Sequence, residues 1–370
     1  MVMMMSNRVL VAMSGGVDSS VAALMLKEQG YEVIGAHMRI WYREEDEELY
    51  EQNVKGCCSL AAVHDAKRVA DKIGIPFYVL NFKEPFYDWV VKNFIDEYLQ
   101  GRTPNPCIAC NRFIKWEEFL KRAMALECDY IATGHYSKIV YDNLKNRYLL
   151  YRGKDKTKDQ SYMLSQLTQE QLARTLFPLG DYYKEDVRNI AEQNELGVAD
   201  KPDSQEICFV PNNDYGEFLQ SVVPEHINPG PILDAQGNKL GEHKGIAFYT
   251  IGQRRGLGIS LGRPVYVIDI DADNNALIVG DKEELYSDGL IAEEINLIPY
   301  EQIENSIDIE CKIRYNSRNV SSTLQPYGND QLLVKFNQPV EAVTPGQGVT
   351  FYQDDLVIGG GTILKATTKK

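Results

Sequence analysis

The apolar run Val9-Leu10-Val11 leads directly into Ala12-Met13-Ser14-Gly15-Gly16-Val17-Asp18-Ser19-Ser20, and no other stretch constrains the fold as strongly. The run reads as a buried strand, while Val17, Val21, Leu24 and Met25 recur at helical spacing, so the order is strand, glycine turn, helix. Phosphate chemistry favours that order. Gly15 and Gly16 let backbone N–H groups approach an anion, Ser14, Ser19 and Ser20 add hydroxyls, and the helix N-terminus adds partial positive charge. A tight turn with no ligand is the competing reading, and two adjacent glycines with Ser and Asp at a strand end weigh against it. The chain contains no G-x-x-x-x-G-K-[ST] loop, and no lysine sits inside this turn to span β and γ phosphates.

Ser14-Gly15-Gly16-Val17-Asp18-Ser19 resembles the pyrophosphate loop (PP-loop) of the N-type ATP pyrophosphatases, which adenylate a substrate oxygen and release pyrophosphate. That resemblance implies ATP as the nucleotide and Asp18 as a partner of Mg²⁺.

From Val9 to Thr133 apolar strands alternate with amphipathic helical patterns. Strands are expected at about 33–38, 77–80 and 130–133. Helices are expected at about 60–73, 86–99 and 116–126, with an acidic, solvated segment at 44–51. The two prolines of Gly101-Arg102-Thr103-Pro104-Asn105-Pro106-Cys107-Ile108-Ala109-Cys110-Asn111 mark a turn-rich loop. Such alternation indicates an α/β fold with a doubly wound parallel sheet, whose ligands gather at the strand C-terminal ends. The glycine loop, Met38 and Gly134-His135 all fall there. A hairpin at 139–151 and helices at 169–176 and 184–194 follow. Beyond about residue 211 short β-branched or aromatic runs separated by Gly, Asn and Asp replace helical periodicity. The expected organisation is a catalytic domain at 1–210, a small central domain at 211–280 and a β-barrel-like domain at 281–370.

No run of eighteen apolar residues occurs and the N-terminus lacks the pattern of a signal peptide, so a cytoplasmic protein with no membrane association is expected. Seven cysteines argue for reduced, reactive or metal-binding thiols over a secreted disulfide framework. The formal charge of −14 excludes a protein coated in positive field but leaves room for a local basic groove. Cys107 and Cys110 form a C-x-x-C that could be a zinc half-site, a redox pair or a pair of iron–sulfur ligands. Cys208 is the other cysteine on a comparably polar loop. The adjacent Cys57-Cys58 lacks ligand spacing, and Cys128 and Cys311 read as buried packing residues. Arg254-Arg255, between glycines, is the best unaided candidate for phosphate contact.

The longer wording decides more. Gly101 to Pro106 with Cys110-Asn111, Ala132-Thr133-Gly134-His135-Tyr136, Lys158-Asp159-Gln160-Ser161-Tyr162 and Ile251-Gly252-Gln253-Arg254-Arg255-Gly256-Leu257-Gly258 together resemble the tRNA-specific 2-thiouridylases (the MnmA family), in order over essentially the whole chain. The resemblance implies an ATP-dependent tRNA sulfurtransferase. ATP adenylates O2 of the wobble uridine and sulfur then replaces the activated oxygen. By carry-over Cys208 receives sulfur as a persulfide from a donor protein, either a persulfide relay or a cysteine desulfurase. Cys110 is the nucleophile that helps release it, leaving a Cys110–Cys208 disulfide. Ala12, Met13, Ser14, Gly15, Gly16, Val17, Asp18, Ser19, Met38 and Gly134 match the family's ATP contacts. Asn105, Pro106 and Cys107 match the segment around the target base, and His135, Lys158, Asp159, Gln160, Arg314, Tyr315 and Gln347 match tRNA-contacting positions. Many members carry an aspartate where this chain has Cys107. Cys107, Cys110 and Cys208 therefore also admit a [4Fe–4S] cluster as the sulfur carrier. The rival readings are another PP-loop ligase, which would not need the Arg254-Arg255 loop or a long β tail, and a non-catalytic RNA-binding protein.

Overall fold

Three fully buried residues, Val9, Leu10 and Val11, make the strand β1 (Arg8–Ala12) the centre of a five-stranded sheet. The computed structural model describes residues 7–40, 60–203, 207–328 and 330–367. The acidic segment at 44–51 and Cys57-Cys58 lie outside them. The chain divides into two units, the first made of Met1–Val90, Cys107–Phe209 and Asp355–Val357, the second of Val91–Pro106, Val210–Asp354 and Ile358–Lys370.

In the first unit β1 is flanked by β2 (Glu32–Arg39) and β4 (Tyr130–Ala132), with β3 (Phe77–Asn81) and β7 (Thr175–Leu176) at the edges in the order β3-β2-β1-β4-β7. Every pairing is parallel, with Val9 opposite both Val33 and Tyr130. This is the doubly wound sheet expected from the alternation. Helix Leu60–Ile73 buries Ala62, Asp65, Ala66, Val69, Ala70 and Ile73, a 3.6-residue stripe, and ends at Gly74 with φ +65° as expected. Helices Val17–Glu28 and Lys184–Gln193 share one buried cluster with β1, through Val17, Val21, Val187 and Ala191. The hairpin β5 (Ser137–Asp142) and β6 (Arg147–Arg152) also forms as expected.

Three local expectations are corrected. The stretch after Pro104 is helical from Pro106, running Pro106–Ala109, then Cys110–Glu118 in wide π-helical turns, then Phe119–Ala125. Pro106 does not break it, because a proline at the first helical position lacks an N–H that would be unpaired anyway. Cys107 and Cys110 are thus helical residues. The helix expected at 169–176 stops at Ala173, and Thr175 and Leu176 pair with Ile131 and Ala132 as the sheet edge, tertiary pairing having overridden local periodicity. The helix at 86–99 begins at Lys83 and passes through π-turns at Tyr87–Val91 before Lys92–Leu99.

In the second unit β8 (Gly230–Asp234), β9 (Lys239–His243), β10 (Tyr266–Asp271) and β11 (Ala276–Gly280) form a sheet in the order β10-β11-β8-β9. Its one parallel pair is β8–β11. Strands β12 (Tyr286–Leu297), β13 (Ile307–Lys312), β14 (Val320–Tyr327), β15 (Gln331–Glu341), β16 (Gly348–Gln353) and β17 (Leu356–Thr367) follow in the order β12-β15-β14-β13-β16-β17, and β12 pairing with β17 closes them into a barrel. Strand β17 runs through the glycines at 359–361 without interruption. Gly359 and Gly361 lie against the β12 backbone, where an added Cβ would meet the Asn296 oxygen at 2.1 Å and the Glu293 oxygen at 2.6 Å. These glycines read as a break in the sequence but serve close approach of two strands. Among the described residues no helix is long and apolar enough to cross a membrane.

Candidate active site

The turn after β1 is held by its own hydroxyls. Gly16 is the N-cap of Val17–Glu28 in an extended conformation. The Ser14 N–H donates to Ser19 Oγ at 3.1 Å, while the Ser19 and Ser20 hydroxyls donate to the Gly16 oxygen at 3.2 and 2.8 Å. Gly15 has φ +79°, and a Cβ there would meet the Ala62 carbonyl oxygen at 2.2 Å. Gly134, at the end of β4, lies on the same helix start: a Cβ there would meet the Asp18 carbonyl carbon at 2.7 Å and the Ser19 nitrogen at 2.8 Å. Met13 is buried beneath the turn, its oxygen 2.9 Å from His37 Nδ1, and half-buried Met38 sits in β2 opposite Leu80. The turn, Met38 and Gly134 therefore share the C-terminal edge of the sheet, as the sequence order implies.

The cation missing from the turn arrives from later in the chain. Lys184 Nζ lies 2.8 and 2.7 Å from the two carboxylate oxygens of Asp18 and 2.7 Å from Asp203 Oδ1. The Tyr136 hydroxyl donates to Asp18 Oδ1 at 2.8 Å, and Lys158 Nζ donates to Asp203 Oδ2 at 2.7 Å. Burial pushes the Asp203 carboxyl up, but the Lys158 and Lys184 ammonium groups outweigh it and hold it below the usual carboxylate range. Burial, then the Asp18 charge, pushes the Tyr136 phenol far up, so it stays a donor. Asp155 anchors the helix start, accepting from the Thr157 N–H at 3.0 Å and the Lys184 N–H at 3.1 Å. On the other side of the turn Lys201 donates to the Gly15 oxygen at 2.9 Å and pairs with Asp65. None of Lys184, Lys201, Asp203 or the Tyr136 hydroxyl was singled out from sequence. Their positions lie far from the loop, and each is an ordinary polar residue until the fold brings it there. One half-buried carboxylate beside a phosphate cradle suits Mg²⁺, which takes one or two carboxylates and completes its shell with phosphate and water.

Cys107 is exposed in the first turn of its helix, Cys110 is half-buried one turn on, and Cys208 is half-buried in a turn beside Phe209, whose ring meets Phe86 at 5.7 Å. Asn111, next to Cys110, is buried and donates to the Met163 oxygen at 2.9 Å. Cys128 and Cys311 are buried as expected, and burial pushes each thiol up to about 11, which leaves them unreactive. Among the described residues no group of three His, Cys, Asp or Glu side chains could hold a metal ion.

The residues matched to tRNA contacts divide by position. Lys158 joins the Asp203 pair, Asp159 accepts from the Gly153 N–H at 3.1 Å and the Ser161 hydroxyl at 2.9 Å, and Gln160 accepts from the Tyr136 N–H at 3.1 Å. This stretch builds the wall behind Asp18. His135 is buried between Trp116 and Phe177, with Nδ1 2.6 Å from the Thr133 hydroxyl. Burial, then the Lys115 charge, holds its pKa well below the ordinary imidazole value. In the second unit the stretch Gly101 to Pro106 is pinned by Arg102 to Glu97 at 2.8 Å and Glu293 at 3.3 Å, by the Thr103 N–H to the Pro345 oxygen at 2.9 Å, and by Gln347 to the Pro104 oxygen at 3.3 Å. Gln347 thus supports the half-buried Asn105 and buried Pro106 segment. Arg314 donates to the Glu341 oxygen at 3.0 Å, Tyr315 lies 5.3 Å from Lys312 Nζ, and Arg254 and Arg255 are exposed.

Three family models cover the chain in succession: the tRNA methyl transferase HUP domain at 7–212, the tRNA methyl transferase PRC-barrel domain at 216–281 and the aminomethyltransferase beta-barrel domain at 287–363. A curated relative from Caldanaerobacter subterraneus subsp. tengcongensis, tRNA-specific 2-thiouridylase MnmA 2, is 54% identical over 98% of this chain and 99% of its own. Relatives named tRNA-specific 2-thiouridylase MnmA from Carboxydothermus hydrogenoformans and Clostridioides difficile are 51% and 50% identical, over 97% and 98% of this chain and 98% and 100% of theirs. With half its residues shared along nearly its full length, and a glycine turn at its sheet edge, the chain belongs to the tRNA-specific 2-thiouridylase (MnmA) family.

Proposed function

We propose that this protein is an ATP-dependent tRNA sulfurtransferase that forms 2-thiouridine at the wobble position. The observation that carries the reading is the near full-length identity with the 2-thiouridylases, joined to a glycine turn that offers backbone donors, hydroxyls and a carboxylate at one sheet edge. The domain reading follows the same order, with a PP-loop catalytic domain at 1–210, a central tRNA-binding domain at 211–280 and a barrel at 281–370.

In this reading the N–H groups at 15–19 cradle the ATP phosphates, with Met38 and Gly134 completing the nucleotide site. Asp18, together with the phosphates, would hold Mg²⁺, which would supply neutralising charge for the departing pyrophosphate. Lys184 already sits on Asp18 as a cation and is the side chain placed to follow the phosphate charge. Uridine O2 attacks the α-phosphorus, the bond to the β-phosphate oxygen breaks, and pyrophosphate leaves. The terminal sulfur of a Cys208 persulfide then bonds to C2 as AMP departs. The Cys110 thiolate attacks Cys208 Sγ, the persulfide S–S bond breaks, and its electron pair stays on the sulfur now bound to C2. The product is 2-thiouridine and a Cys110–Cys208 disulfide, which an external thiol reduces. Sulfur enters from a donor protein, and the reaction belongs in the cytoplasm, where thiols are kept reduced.

The test is nucleoside analysis of tRNA incubated with ATP, Mg²⁺ and a persulfide donor. Wild-type protein forms 2-thiouridine and releases pyrophosphate in a tRNA-stimulated manner. Cys110→Ser and Cys208→Ser each abolish thiolation while keeping tRNA binding, and full thiolation by either variant overturns the sulfur route. ATP turnover that ignores tRNA points to another ligase, and tRNA binding with no turnover points to a non-catalytic RNA-binding protein.

A further inference from the structure

Trp89 leaves 48% of its surface exposed although Phe113 covers one face of its ring, the centroids lying 4.8 Å apart with the planes 17° from parallel. The Arg112 guanidinium lies 4.8 Å from the Phe113 centroid, and Tyr87, 42% exposed, stands two positions before Trp89. Packing gives no account of an aromatic pair stacked in parallel with its outer face in water. Both rings belong to π-helical turns, Tyr87–Val91 and Cys110–Glu118, a geometry that often accompanies functional sites. Phe113 follows Cys110 by three positions in the same helix.

Charge narrows the occupant. At a formal −14 the protein offers a polyanion little long-range attraction, so affinity for RNA has to rest unusually heavily on stacking and shape. Exposed Asp88, between Tyr87 and Trp89, repels phosphate but does not penalise the face of a neutral base. A uridine adenylated at O2 must leave its stack, and its neighbours in a single-stranded loop lose a stacking partner with it. An open aromatic face is the surface such a neighbour uses, and the Arg112 guanidinium lies over the Phe113 ring that backs it.

We propose that Trp89, Phe113 and Arg112 form a stacking platform for an unpaired tRNA nucleobase next to the target uridine. The proposal rests on the tRNA-thiolation reading and adds a binding site to it. The test uses the full chain and an anticodon stem-loop RNA, compared with the same RNA carrying an abasic nucleotide at each position flanking the target in turn. Trp89→Ala lowers affinity for the intact RNA about five- to 150-fold, the range for losing one base–aromatic stack. It has no further effect on the RNA whose stacked base is absent, and Trp89→Phe restores most of the affinity. Affinity within twofold of wild type for Trp89→Ala, or an equal loss on intact and abasic RNAs, overturns the platform. Unchanged RNA affinity with slower sulfur uptake from a protein donor but normal use of inorganic sulfide also overturns it, by assigning the patch to a protein. Wild-type protein that forms no 2-thiouridine defeats the functional reading instead, so the two failures are separable.

Discussion

Replacing Lys184 with methionine keeps the aliphatic stem and removes one charge from the wall of the glycine turn. Its ammonium lies 2.7–2.8 Å from both Asp18 oxygens and 2.7 Å from Asp203 in a side chain only 10% exposed. The variant leaves Asp18 with the Tyr136 hydroxyl and Asp203 with Lys158 and, at 3.6 Å, Arg188, and sets two carboxylates facing each other. Breaking a buried ion pair from one side costs about 3–5 kcal/mol. Asp18 and Asp203 are 30% and 26% exposed, so water recovers part of this and about 2–3 kcal/mol is expected. For a unit of about 200 residues each kcal/mol moves Tm by about 2–4 °C, giving a fall of about 4–12 °C. The pH dependence follows from Asp203, whose folded carboxyl lies below its unfolded value. Its stabilisation is complete above the unfolded pKa of about 3.9 and disappears as pH falls through the lower folded value. The gap between wild type and Lys184→Met is therefore flat from about pH 8 to 5 and closes below about 4. Thermal melts followed by circular dichroism across that range measure it. A Tm within 2 °C of wild type at pH 7.5, or a gap that widens in acid, refutes the account.

His135 supplies an opposite pH signature. Its buried ring stays neutral in the folded state while the unfolded chain takes up a proton below about 6.5, so wild-type stability falls between about pH 7 and 5. His135→Gln is the less stable protein at pH 8 and gains on wild type by pH 5, whereas parallel stability profiles would falsify the neutral buried ring. The Arg254→Ala/Arg255→Ala double variant tests the exposed basic pair: if both guanidinium groups meet phosphates, the slope of log affinity for tRNA against log salt drops by about two. An unchanged slope removes that loop from the phosphate contacts.

Period and punctuation carried much of the architecture. Val9 to Val11, Ser14 to Ser20 and the stripe through Ala62 and Val69 are local signals, so strand, turn and helix could be placed without tertiary knowledge. The helix at Pro106 and the strand at Thr175 could not. A proline is compatible with a loop or a helix start, and a two-residue edge strand exists only because β4 lies beside it.

The candidate site divides the same way. Loop residues that present backbone N–H groups depend on a few contiguous glycines and serines, and these are legible because glycine is used where a Cβ would strike the Ala62 carbonyl or, at Gly134, the start of the first helix. The charge around them is not legible. Lys184 stands 166 residues from Asp18 and Lys201 stands 186 from Gly15, and an isolated lysine in a polar helix carries no mark of its partner. By itself, then, the sequence determined the glycine turn, the parallel sheet that presents it and, through family-wide wording, which cysteines, Cys110 and Cys208, to propose for sulfur transfer. Only the tertiary structure decided which cations face the turn, that His135 is buried between Trp116 and Phe177 with Thr133 and Lys115 at its nitrogens, and that Trp89 stacks on Phe113 in the Cys110 helix, because electrostatics, burial and aromatic stacking depend on distance in space, which sequence separation does not encode.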